Sequence, residues 1–152
     1  MGDVTETTDT RSRHIVVIND TPEILALFRE LLEEDGYRVT TQRLTLEMAR
    51  NVSEIKELEP DLIILDYLIG DEATGWQLLQ MLKMDRATRA IPIIICTGAV
   101  EQVRQLHTHL LEMGVRVVLK PFDIDHLLRE IGAALDGTLE SPLGGAPNTS
   151  PA

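Results

Sequence analysis

Apolar residues along the chain gather into five short runs: HIVVIN (14–19), YRVTT (37–41), DLIIL (61–65), IPIIIC (91–96) and VRVVL (115–119). Runs this short, rich in Ile, Val and Leu and bounded by turn-forming residues, read as strands buried on both faces of a parallel sheet. Between them apolar positions recur every three or four residues, the period of a helix with one buried face. In the first such segment Ile24, Phe28, Leu31 and Leu32 form a stripe opposite Arg29, Glu30, Glu33 and Glu34. Thr21 suits the cap of that helix, Pro22 its first position and Gly36 its stop. The pattern returns after Thr97, with Val103, Leu106, Leu110 and Met113 inward and Gly114 closing the helix. A last helix runs from about Asp123 to Leu135, with Leu127, Leu128, Ile131 and Leu135 as its buried face.

Strands alternating with helices predict an α/β protein built from βαβ units. Right-handed crossovers leave few topologies for five such units, and the expected one is a flavodoxin-like (βα)5 three-layer sandwich with a parallel sheet of order 2-1-3-4-5. The domain spans residues 14–136; residues 1–13 and the tail 137–152, GTLESPLGGAPNTSPA, are too polar or too rich in Gly, Pro, Ser and Thr to bury anything and are expected to be disordered. In this order strands one, three, four and five lie side by side, and their carboxyl ends carry Asn19 and Asp20, Asp66, Thr97, and Lys120. Ligands of open α/β sheets bind at that edge.

Composition narrows the partners. At 152 residues and 43% hydrophobic, the chain can bury one real core. No apolar stretch approaches the ~20 residues of a membrane span, and MGDVTETTDTRSR lacks the layout of a secretory signal, so no membrane partner and a cytoplasmic location are expected. The single cysteine, Cys96, excludes an internal disulfide and reads as a small core residue. A net charge of −11 with no local Lys/Arg cluster disfavours nucleic acid. His107 and His109, two apart on a helix, do not share a face, and His14 and His126 have no ligand spacing, so all four read as surface or partly buried polar residues. Cys96 lacks the arginine six residues on that a thiol phosphatase needs, Gln102 standing there instead, and the turn NDTPE has no glycine-rich phosphate loop. Trp76 reads as packing.

Taken singly, Asn19 or Asp20 can cap the first helix, Thr97 the fourth, Asp66 can serve a turn, and Lys120 can be a strand-end lysine. Four such residues converging on one edge point to phosphate chemistry instead. Asp20 and Asp66, with Asn19 nearby, are hard oxygen ligands suited to Mg²⁺. Asp66 can act as a carboxylate nucleophile, while Thr97 and Lys120 can hold phosphoryl oxygens.

With these residues in place, the chain resembles the receiver domain of two-component response regulators over roughly residues 14–136, through VVIND, LIILD, IIICTGA and VVLKPF at the ends of strands one, three, four and five. The resemblance implies a domain that accepts a phosphoryl group on Asp66 from a histidine kinase or phosphotransfer protein. It implies Mg²⁺ held by Asp20, Asp66 and the main-chain carbonyl of Leu68, with Asn19 acting indirectly. Thr97 and Lys120 would couple phosphorylation to the face made by the fourth helix, fifth strand and fifth helix, a face compatible with a homodimer. It further implies a stand-alone receiver that signals by binding an unknown downstream protein and is no enzyme beyond its own phosphorylation and dephosphorylation. The chain departs from the family pattern in three ways: Asn19 replaces an acid, the loop after Asp66 has Gly70 in place of a proline and Gly75 one residue later than the usual glycine, and Val117 replaces an aromatic residue. Asn19 and Val117 keep alive a pseudo-receiver that docks without carrying phosphate. An aspartyl-phosphate-forming phosphatase of the haloacid-dehalogenase type fits less well, because Leu68 stands where its second aspartate belongs. A flavin-binding protein would need more aromatic residues than Trp76, Tyr37, Tyr67 and two phenylalanines.

Overall fold

The structure, a computed structural model, describes residues 13–66, 72–98 and 100–136. Of the tails expected to be disordered, residues 1–12 and 137–152, together with Tyr67, Leu68 and Gly70, lie outside the described residues. In chain order the elements are β1 His14–Asn19, α1 Pro22–Glu34, β2 Arg38–Arg43, α2 Met48–Leu58, β3 Leu62–Asp66, α3 Glu72–Met84, β4 Ile93–Thr97, α4 Val100–Glu112, β5 Val115–Leu119 and α5 Ile124–Asp136. The strands form one parallel sheet of order β2-β1-β3-β4-β5, the flavodoxin-like architecture expected from the alternation.

The runs become central strands because both faces are covered. On one face Ile15, Val17, Ile64 and Val118 meet Leu25, Phe28 and Leu32 of α1 and Leu127, Ile131 and Ala134 of α5. On the other, Ile18, Ile63, Leu65, Ile93, Ile95 and Val117 meet Val52 and Ile55 of α2, Leu78, Leu79 and Leu82 of α3, and Leu110 of α4. Each Leu or Ile so enclosed contributes about 1.5–3 kcal/mol of transfer free energy. Cys96 is buried in the α1/α5 layer, and Trp76 packs against the opposite cluster.

Three strands differ in their bounds from the sequence expectation. β2 runs to Arg43 rather than ending at Thr41, because the β1 ladder continues through the Asn19–Arg43 pair and the Leu44 N–H donates to the Asn19 carbonyl at 3.0 Å. β3 and β4 each begin later than expected and extend one residue further, to Asp66 and Thr97. Pro92 has no N–H to give to the ladder, although its carbonyl accepts from Ile63 at 3.0 Å. In α1 the deeply buried residues are Leu25, Phe28 and Leu32, with Ile24 and Leu31 only half-buried. Gly36 ends α1 at φ 99°, where the Tyr37 N–H reaches the Leu32 carbonyl at 3.3 Å and the Gly36 N–H reaches Glu33 at 3.0 Å.

Candidate functional site

The register assembles a row of residues across the carboxyl edge. Arg43 pairs with Asn19. Ile18 pairs with Leu65, so the next positions, Asn19 and Asp66, are also neighbours. Asp66 pairs with Cys96, and Thr97 with Leu119. Adjacent strands are about 4.8 Å apart, so residues drawn from positions 19 to 120 of the chain are brought within one or two strand spacings of Asp66. Beyond β5, the Lys120 N–H donates to the Thr97 carbonyl at 2.8 Å. The Lys120–Pro121 peptide bond is cis, and a Cβ placed on Gly98 would lie 4.0 Å from the Lys120 Cβ.

Each position has a local cause. Asn19 is 1% exposed, and its carboxamide oxygen accepts the Thr21 N–H at 2.7 Å, an Asx turn that points the chain into α1. This corrects one expectation: Thr21 occupies the cap position of α1 but makes no side-chain capping bond, and its hydroxyl instead donates to the Asp20 carboxylate at 3.3 Å. Asp20 is half-buried, and its main-chain carbonyl lies 3.5 Å from an Arg43 guanidinium nitrogen. Thr97 is 1% exposed and Lys120 half-buried.

Asn19, Asp20, Thr97 and Lys120 therefore stand at the same edge as the backbone of Asp66. The side chain of Asp66 and the carbonyl of Leu68 lie outside the described residues. Among the described residues no group of three His, Cys, Asp or Glu side chains could by itself hold a metal. The donors that the edge does supply, the Asp20 carboxylate and the Asn19 amide, are hard oxygens and fit Mg²⁺ rather than a softer ion.

Two residues carry more than the sequence reading gave them. Arg43 lies two residues beyond Thr41, the expected end of the second strand, yet it belongs to the same cross-sheet row. His14, read as a surface or partly buried polar residue, is 7% exposed and bonded through both ring nitrogens. Its place inside an apolar run was the available signal.

Residues 15–132 match the response regulator receiver domain. The chain belongs to the receiver domain family of response regulators. It is 28% identical over 125 residues to the phosphate regulon transcriptional regulatory protein PhoB of Klebsiella pneumoniae, covering 82% of this chain and 52% of that protein. The chain thus spans about half the length of that relative. It is 31% identical over 99 residues to the polar-differentiation response regulator DivK of Brucella ovis, covering 62% of this chain and 77% of that one. Among solved structures, the receiver domain of a signal transduction histidine kinase from Syntrophus aciditrophicus is similar, with a TM-score of 0.66, 28% identity and coverage of 83% and 92%. The chemotaxis response regulator CheY4 of Vibrio cholerae shares the fold, with a TM-score of 0.64, 19% identity and coverage of 80% and 98%. This receiver domain is therefore a module of two-component signalling. No helix among its described residues is long and apolar enough to cross a membrane.

Proposed function

We propose that Asp66 accepts a phosphoryl group from a histidine kinase or phosphotransfer protein in a Mg²⁺-dependent reaction, and that the phosphorylated receiver acts by changed binding to a downstream protein. The observation that carries this reading is the alignment of Asn19, Asp66 and Thr97 at the ends of neighbouring strands, with the Lys120 N–H on the Thr97 carbonyl.

In this reading an Asp66 carboxylate oxygen forms the new bond to phosphorus. The bond from phosphorus to the donor's leaving atom breaks, and its electron pair departs with the donor. The Thr97 hydroxyl donates to one phosphoryl oxygen and the Lys120 ammonium offsets the charge on another. Mg²⁺ held by Asp20, Asp66 and the Leu68 carbonyl, with Asn19 assisting indirectly, would neutralise charge between carboxylate and phosphoryl group. Protein positioning and charge compensation are most of what phosphoryl transfer requires. The face of α4, β5 and α5 is the proposed output surface, including for a homodimer, and the cytoplasm is the compartment consistent with a histidine-kinase partner.

The test is intact-mass analysis after incubation with acetyl phosphate and Mg²⁺, comparing wild type with Asp66→Asn. A phosphate-sized gain in wild type alone is expected; a gain in both proteins, or in neither, removes Asp66 as the acceptor. A second reading, a docking module that carries no phosphate, has one observation in its favour: position 19 is a neutral amide whose oxygen already accepts the Thr21 N–H. It is the reading left standing if neither protein gains mass.

A further inference from the structure

We infer that Arg43 is a donor-recognition residue, a second cation on the flank of the phosphoryl site opposite Lys120 that draws anionic phosphodonors toward Asp66. The inference rests on Asp66 being the acceptor.

The placement comes from the sheet. Arg43 is the last residue of β2, the edge strand, and its Cα pairs with that of Asn19, which in turn neighbours Asp66. Two strand spacings put Arg43 about 10 Å from Asp66 along the row. Val39, four residues earlier and on the same side of the strand by alternation, packs in the α1/α5 layer, so Arg43 emerges on the face that Asn19 shares through Val17 and Ile15. Its side chain is exposed, and its guanidinium lies 3.5 Å from the Asp20 carbonyl, leaning over the loop that carries Asp20. A phosphodonor approaching this edge brings negative charge to a chain whose net charge is already −11. A cation at this distance acts through the field rather than by contact, raising encounter rates in a salt-dependent way. A purely structural role, tethering the Asp20 carbonyl, is the alternative that the experiment must separate.

The test measures phosphorylation rate by intact mass, with acetyl phosphate and Mg²⁺, for wild type, Arg43→Lys, Arg43→Ala and Arg43→Glu across ionic strength. The screening length is about 30 Å at 0.01 M salt and about 3 Å at 1 M, so a field effect across about 10 Å is present in the first and absent in the second. At low salt we expect Arg43→Lys to match wild type, Arg43→Ala to be slower by roughly threefold and Arg43→Glu by roughly tenfold, with all four converging near 1 M salt. The spread should shrink with phosphoramidate, whose protonated nitrogen offsets its phosphoryl charge. Equal rates at low salt, or a loss in Arg43→Ala and Arg43→Glu that persists undiminished at high salt, overturns the inference while leaving Asp66 as acceptor. Absence of any mass gain in wild type overturns both.

Discussion

Strand β1 carries a buried polar residue at each end, and the two are used differently. At the amino end, His14 donates from Nδ1 to the Leu58 carbonyl at 3.1 Å, its Nε2 accepts the Thr40 hydroxyl at 2.7 Å, and its N–H donates to the Asp61 carboxylate at 2.7 Å. The Asp61 N–H returns a bond to the His14 carbonyl at 2.7 Å. A carbonyl can only accept, so the Leu58 contact assigns the ring proton to Nδ1. These partners are 26 to 47 residues away, in β2, at the end of α2 and just before β3. At the carboxyl end, the Asn19 oxygen reaches two residues along the chain to the Thr21 N–H, shaping a loop. The amino side is fastened further where Lys83 donates to the carbonyls of Arg89 and Ile91 at 3.0 and 3.1 Å and Lys56 pairs with Asp85 at 2.9 Å. One edge is fastened by hydrogen bonds between segments; the other sets two acids, an amide, a hydroxyl and two cations in neighbouring positions. Polar burial at the first should govern stability, and at the second phosphoryl chemistry.

The sharpest way to break this division is Asp66→Asn. Phosphoryl incorporation should be lost altogether by intact mass, while the urea midpoint stays close to that of wild type. The converse change is His14→Leu, which leaves the half-buried Leu58 carbonyl and Thr40 hydroxyl without their partner. A stability loss of about 2–3 kcal/mol is expected in urea unfolding, with the extent of phosphorylation unchanged below the transition. Smaller in effect is Asn19→Asp, which keeps an oxygen for the Thr21 N–H and adds a ligand charge. Calorimetric titration should show Mg²⁺ binding tightened by roughly tenfold, about 1.4 kcal/mol; unchanged binding would detach position 19 from the metal.

The smallest expected effect is in pH. Burial, and next the Arg38 charge, hold the His14 pKa below its ordinary 6.5, against the opposing Leu58 carbonyl bond and Asp61 charge. The unfolded chain therefore takes up a proton more readily than the folded one. The contribution of neutral His14 is complete above about pH 6.5 and is lost as pH falls from there through the lower folded value. Unfolding free energies at about pH 7.5 and pH 5.5 should differ more for wild type than for His14→Gln, and an equal difference would remove His14 as the source.

The alternation of apolar runs with helical stripes was enough to place the five strands and the first, fourth and last helices, because burial on both sheet faces writes itself as an uninterrupted run and burial on one helix face as a period near 3.6. The ends of the elements were less legible. Arg43 looks like a loop residue until the ladder of β1 continues past it, and Thr21 looks like a cap until Asn19 takes the backbone N–H that begins the turn. His14 carries no motif, since its three partners are distributed over three other segments.

From the chain alone follow the α/β class, the strand order and the set of residue types that arrive at the carboxyl edge, since these depend on local periodicity and on the few topologies open to five βα units. Only the folded arrangement decided which polar residues serve the scaffold and which stand in the Asp66 row. That distinction depends on cross-strand register and on hydrogen bonds between segments tens of residues apart, neither of which leaves a pattern in any single stretch of sequence.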